Sequence, residues 1–304
     1  MLKNLFILPR LGMSLKELYF LTLIDLSRAK IVIGHNITGL AFRIKKIKKD
    51  LITITYQHSY IYPFEKKIYK KLLKNCSCDY FLSYDKSQTK LFFDLIEAKF
   101  LELGSLKNNE IILKKNIKNK LLIISEFRLK NSNLHLKAIK SYLRNIRMFC
   151  LRYKIIPKIA LNSFRIDKKH LGTDIFFENE IQFYKKYLGS FNYEKKTSYQ
   201  LAAESKVIIS MSSNLGYELL SRGYKVLFFN NLGNLNKKFI STYFEKQKPI
   251  FFLKNNNYQN FEKKFKKIEY MSSLKWKKVL KNFKYKIKFD QGNKELNQLI
   301  KRII

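Results

Sequence analysis

The sequence predicts an α/β protein built from two tandem doubly wound, Rossmann-like domains and a helical C-terminal tail. Three observations predict it. Short apolar, β-branched runs alternate with amphipathic segments of helical length, the pattern of βαβ units around a parallel sheet. The alternation pauses at Gly104-Ser105 and the lysine-rich stretch Lys114 to Lys120, then resumes at Leu121. At 304 residues the chain can also bury two separate cores. The expected divisions are 1–115, 116–260 and a lysine-rich tail over 261–304.

The first set opens with a strand, Leu5 to Leu8, broken by Pro9. A helix, Ser14 to Ser27, follows, with Ser14 placed to cap it. Ile31 to Ile33 is a short strand, Thr38 to Lys48 a helix, and Leu51 to Tyr56 a β-branched strand. The helix Phe64 to Lys74, the strand Tyr80 to Ser83, a helix from Ser87 to Ala98 and the strand Phe100 to Leu103 complete it. In the second set, strand Leu121 to Ser125 leads to a helix over Leu134 to Tyr153 and a strand over Ile155 to Leu161. Helices Glu180 to Tyr187 and Ser198 to Glu204 come next, then strand Val207 to Ser210, helix Leu215 to Ser221, and strands Lys225 to Phe229 and Ile250 to Leu253. Phe261 to Ile304 reads as helices with lysines on their outer faces.

The stretch Val207 to Phe229 carries the most chemistry. Between its two strands lies Ser210-Met-Ser-Ser-Asn214, which supplies hydroxyls, an amide and free N–H groups at a helix start. Such a turn suits a phosphate, because the first N–H groups of a helix lack partners and the helix dipole favours an anion. Glu218 follows Asn214 by four residues and shares its helix face, placed to accept hydrogen bonds from ribose hydroxyls. Ser210, Ser212, Ser213, Asn214 and Glu218 are therefore the candidate nucleotide site, facing a cleft between the domains.

The net charge of +38 is extreme, yet only ten of the 61 basic residues are arginine. Lysine enrichment with abundant Ile, Asn, Phe and Tyr is what AT-rich codons encode. A surface adapted to read nucleic acid favours arginine's planar fork, so genome composition ranks first as the source of the charge, an anionic membrane second and nucleic acid third. Three cysteines, Cys76, Cys78 and Cys150, form neither a disulfide framework nor a zinc site, and point to a reducing cytoplasm. No signal peptide or spanning segment is read, so membrane association is expected to be peripheral. The absence of Asp-x-Asp argues against a metal-diphosphate site. The lack of Gly-x-Gly-x-x-Gly, Walker and Gly-x-Ser-x-Gly motifs argues against oxidoreductases, P-loop NTPases and α/β-hydrolases.

Ile54-Thr-Tyr-Gln-His-Ser59, Tyr80 to Tyr84 and Leu103-Gly-Ser105 resemble the acceptor-side domain of bacterial surface-carbohydrate transferases. Leu161 to Arg165, Glu180 to Tyr184, Ser198-Tyr199 and the Ser-Ser-Asn-Leu-Gly-Tyr-Glu run resemble surface-polysaccharide biosynthesis proteins of GT-B-like fold. More distantly they are similar to CDP-glycerol glycerophosphotransferases and CMP-sugar capsule transferases. Ser59 departs from the glycine usual after the histidine. The resemblance implies a metal-independent glycosyltransferase that needs no cofactor. Its partners would be a nucleotide-sugar donor, CMP- or CDP-linked, and a glycan or lipid-linked acceptor at the inner face of the cell membrane. His58, at a strand's carboxyl end, is the candidate general base for an acceptor hydroxyl or donor to the leaving phosphate, with Glu126 as a second base candidate. Arg165 is the candidate partner of a donor phosphate. His35 sits in a generic context, and His135 and His170 read as exposed. The lysine-rich helices from Phe261 to Lys288, with Trp276 at the interface, are the expected membrane contact. A CDP-polyol phosphotransferase and a non-catalytic basic protein binding nucleic acid or membrane are the alternatives.

Overall fold

The structure, a computed structural model, describes residues 14–36, 39–62, 65–128, 132–163, 173–230, 249–254, 257–283 and 287–303. The expected strand Leu5 to Leu8 lies outside the described residues. The chain forms two compact units. The first takes the described residues up to Ile61, Glu65–Glu110 and those from Lys288 onward; the second takes Tyr62 and Ile111–Ile287.

Unit 1 alternates helix and strand: α1 (Leu15–Ser27), β1 (Ile31–His35), α2 (Leu40–Ile47), β2 (Ile52–Tyr56), α3 (Lys66–Leu72), β3 (Cys76–Ser83), α4 (Lys86–Phe93), β4 (Ile96–Glu102) and α5 (Leu106–Glu110). Its four strands pair in parallel in the order β1-β2-β3-β4. Ser14 closes a capping box on α1: its hydroxyl accepts from the Glu17 N–H, and the Glu17 carboxylate accepts from the Ser14 N–H at 2.7 Å. At a bulge in β3, Asp79 takes the place of a ladder partner and accepts from the Thr53 N–H at 2.8 Å. Phe42, Phe81 and Phe92 fill the core on one face, with the Phe81 and Phe92 rings 4.6 Å apart.

One expected helix is corrected here. The helix reaching to Ala98 ends instead at Phe93, and β4 starts at Ile96. Residues 96 to 100 alternate apolar and charged side chains with period two, which suits a strand.

Unit 2 contains β5 (Asn119–Ile124), α6 (Asn133–Arg152), β6 (Lys158–Ala160), α7 (Thr173–Leu188), α8 (Ser198–Ala203), β7 (Ser205–Ser210), α9 (Asn214–Ser221), β8 (Val226–Phe229), β9 (Phe252–Leu253), α10 (Tyr258–Tyr270) and α11 (Ser273–Lys281). All five strands are parallel, in the order β6-β5-β7-β8-β9. The order reverses between β5 and β7, and such a switch point opens a crevice at the strands' carboxyl ends. The central strands are buried on both faces, as their unbroken apolar runs require. Aromatic rings of α6 and α10 interlock: Phe149 lies 4.6 Å from Phe265 and 5.4 Å from Phe261.

The C-terminal segment does not stand apart. Helices α10 and α11 pack in unit 2, while α12 (Lys294–Ile303) returns to unit 1 and covers Ile54, Leu82 and Leu103 with Leu296. Gly104, at φ +77°, permits the return: a Cβ there would meet the Lys288 carbonyl at 2.0 Å. Trp276, expected at a membrane interface, is 2% exposed and donates its indole N–H to the Gly223 and Tyr224 carbonyls at 3.0 and 3.2 Å. Its ring is core.

Helix α9 sits tightly on the sheet because Gly216 has no side chain. A Cβ there would come within 2.6 Å of Ser210 Oγ and 2.9 Å of Phe228 Cε1. Gly216→Ala is therefore expected to cost about 1–3 kcal/mol by overpacking. Denaturant unfolding measures it, and a midpoint equal to wild type would show that the helix has room to shift.

Candidate functional site

The turn after β7 lies at the switch point of unit 2. Ser210 is 1% exposed, its Oγ turned against Gly216, so it belongs to the helix–strand contact. Ser212, Ser213 and Asn214 are half-buried. Ser213 occupies the N-cap of α9, yet its side chain makes no capping bond. Glu218, one turn further in, is buried and accepts the Tyr199 hydroxyl proton.

A carboxyl group already occupies this turn: that of Glu126, at the end of β5. One carboxylate oxygen accepts the N–H groups of Met211, Ser212 and Ser213 at 3.3, 2.8 and 2.8 Å, and the other accepts from Ser212 Oγ at 2.9 Å. Successive N–H groups that converge in this way form an anion-binding concavity. Glu126 is 3% exposed, so the pairing is buried.

A second carboxylate ties the neighbouring turn. Glu180 of α7, fully buried, accepts the N–H groups of Asn162 and Ser163 at 2.9 Å each and the hydroxyl of Ser125. Tyr184, one turn along α7, donates to Ser125 Oγ at 3.0 Å and accepts the Glu126 N–H at 3.3 Å. The turns after β5, β6 and β7 are thus knitted into one block. Sequence reading placed Glu180, Tyr184 and Tyr199 only within the resemblance and gave them no role. The available signal was Glu180 itself, a carboxylate on the stripe Phe176, Glu180, Tyr184, Leu188 that α7 buries.

His135, read as exposed, is half-buried at the start of α6, with Nε2 3.1 Å from the Glu126 carbonyl. A carbonyl only accepts, so Nε2 carries the proton. Arg165 and His170 lie outside the described residues.

In unit 1, His58 is exposed on the turn after β2. Its N–H donates to Asn36 Oδ1 at 3.0 Å and its carbonyl accepts the Tyr84 hydroxyl at 2.7 Å. Buried amides brace the turn: Gln57 Nε2 donates to Gln88 Oε1 at 2.6 Å, and Gln88 is bonded to the backbone of Ile61 in both directions. The His35 ring lies 5.1 Å from that of His58. Burial, and next the charge of His58, hold the His35 imidazole below its ordinary range. The signal missed was register: His35 ends β1 and His58 follows the end of its parallel neighbour β2.

Comparison with known proteins adds the following. A profile of the family described as "putative O-antigen biosynthesis protein" matches residues 64–304. No curated protein matches the sequence. Among solved structures, the chain is similar to a protein of Listeria monocytogenes assigned as a UDP-N-acetylglucosamine 2-epimerase. The TM-score is 0.60 at 11% identity, covering 96% of this chain and 79% of that one. It is similar also to S. aureus MnaA in its structure with UDP, at TM-score 0.54, 11% identity and coverages of 93% and 78%. The glycotransferase of kitacinnamycin follows at TM-score 0.51, 8% identity and coverages of 92% and 77%. These likenesses establish the fold as GT-B-like, as the sequence predicted.

Glu180 gives a direct test of the knitted block. Glu180→Ala leaves two buried N–H groups and a hydroxyl unsatisfied and is expected to cost roughly 3 kcal/mol or more. Chemical unfolding reads the loss, and a cost below about 1 kcal/mol would mean the three turns do not depend on this carboxylate.

Proposed function

Since the chain belongs to this O-antigen biosynthesis family, we propose that it is a glycosyltransferase that moves a sugar from a nucleotide-activated donor to a glycan or lipid-linked acceptor. The observation that carries the reading is the turn at the switch point of unit 2. Ser213 Oγ is not spent on its cap, Asn214 opens α9, and Glu218 lies one turn in. The donor phosphates bind at the Ser213 hydroxyl, Asn214 and the first N–H groups of α9, where the helix dipole favours them. Ribose hydroxyls bind at Glu218. Phosphate departure is stabilised by preorganised dipoles rather than by a metal. His58 deprotonates the acceptor hydroxyl, an assignment supported by its exposed ring on a braced turn. The same donor site would serve transfer of a polyol phosphate from a CDP-linked donor, and the identity of the donor that binds separates the two.

We propose further that the enzyme works at the inner face of an anionic membrane. Among the described residues, no helix is long and apolar enough to cross a bilayer. Tyr270 and Leu274 are 73% and 80% exposed, with exposed Lys275, Lys277 and Lys278 beside Leu274. They provide the apolar anchor that buried Trp276 does not. Near an anionic leaflet each such lysine contributes about 1 kcal/mol, screened within a Debye length.

Three outcomes are expected. Ser213→Ala weakens donor binding by about 1.5–3 kcal/mol, the range for a hydrogen bond to a charged group. Calorimetry against UDP-, CDP- and CMP-linked sugars measures it, and unchanged affinity would move the site. His58→Ala leaves donor affinity intact and slows turnover by roughly 10²–10⁴-fold; full turnover would remove His58 from the chemistry. Sedimentation with vesicles requires anionic lipid, falls with salt and weakens when Lys275, Lys277 and Lys278 become Gln. Equal binding to neutral vesicles, or none to anionic ones, would leave genome composition as the source of the charge.

A further inference from the structure

We infer that Glu126 is a positioning residue that acts as a built-in counter-anion and sets the preference of the site for sugar nucleotide over released nucleotide. The inference rests on the donor site just proposed. The Met211, Ser212 and Ser213 N–H groups make an anion-binding concavity at the switch point, and Glu126 fills it. With one oxygen holding three N–H groups and the other the Ser212 hydroxyl, the carboxylate is committed to the turn. It is poorly placed to take a proton from an acceptor, which removes it from the role of base.

The donor phosphates are therefore held one step outward, at Ser213 and the start of α9, beside a fixed negative charge. That charge opposes every phosphate oxygen that carries charge, and its effect grows with the total. Transfer of the sugar breaks the bond to the terminal phosphate, which leaves as a free group carrying one more negative charge than it had as an ester. Glu126 therefore disfavours the product nucleotide more than the donor. The turn keeps its shape without binding the product tightly, and the leaving nucleotide is expelled.

Glu126→Gln tests this with little change of shape, since the amide oxygen can still accept the turn N–H groups. Glu178→Gln, which removes the same charge from an exposed position on α7, is the control. Calorimetry is run with UDP, UDP-N-acetylglucosamine, CMP, a CMP-sugar and inorganic pyrophosphate, and thermal melting checks the fold. The expected result is that Glu126→Gln tightens binding of the free nucleotide roughly tenfold and of its sugar ester only a few-fold, while Glu178→Gln changes neither. An unchanged ratio of the two affinities at an unchanged melting temperature overturns the inference, as does a ratio that changes equally in the control. Lost turnover with both affinities unaltered would return Glu126 to the role of base. If no nucleotide binds either protein, pyrophosphate decides: tighter binding to Glu126→Gln alone keeps the counter-anion and fails only the nucleotide-donor reading, and no gain fails the counter-anion.

Discussion

Two buried carboxylates hold the carboxyl edge of the five-stranded sheet, and the candidate site depends on them. Parallel strands end in turns whose N–H groups point out of the sheet with no ladder partner. Here Glu180 satisfies the turn after β6 and Glu126 the turn after β7, while Ser125 and Tyr184 link the two through β5. Among the described residues, each carboxylate is held by backbone N–H and hydroxyl donors. That arrangement buries two carboxyl groups at the cost of fixing every turn that supplies a donor. An edge braced in this way is what a site needs if it is to hold phosphates by orientation rather than by adjustment.

Much of this was legible in the sequence, and the limits have a physical pattern. Buried parallel strands announce themselves as unbroken apolar runs, so Leu121 to Ser125 and Val207 to Ser210 were read within two residues. The position of the turn at the start of α9 was legible because polar residues between a strand and a helix have few other uses. What fills the turn was not legible: Glu126 and Ser212 are 86 residues apart, and only the sheet order brings them together. The same holds for His35 and His58, neighbours by register rather than by spacing. The end of α4 was misread because Leu95 and Ile96 satisfy either period until the residues beyond them are weighed. Trp276 was misassigned because lysines on both sides say nothing about the inward face of a helix.

The lysine excess is partly structural. Lys225 donates to the carbonyls of Glu269 and Met271 at 2.9 and 2.5 Å, closing the C-terminal end of α10, where the dipole favours a cation. Glu269, buried, pairs with Lys120 and Lys206. Glu194 is drawn down to about 2 by Lys158 and Lys196. With 23 acidic residues against 61 basic ones, Glu194 and Glu269 each pair with two lysines, and the lysines left over lie on outer faces such as that of α11.

The return of α12 to unit 1 has a consequence for how the protein is made. Leu296, with Leu299, Ile300 and Ile303, covers the face formed by Ile54, Leu82 and Leu103, and the buried pair Asn109 and Asn293 bonds at 3.0 Å to hold it. During synthesis the strands of unit 1 emerge before unit 2, yet the residues of α12 that cover them emerge after it. Unit 2, whose residues end at Ile287, can close earlier. The usual N-to-C order of domain completion is thereby inverted. Until α12 arrives, one face of the first sheet is bare and open to wrong partners.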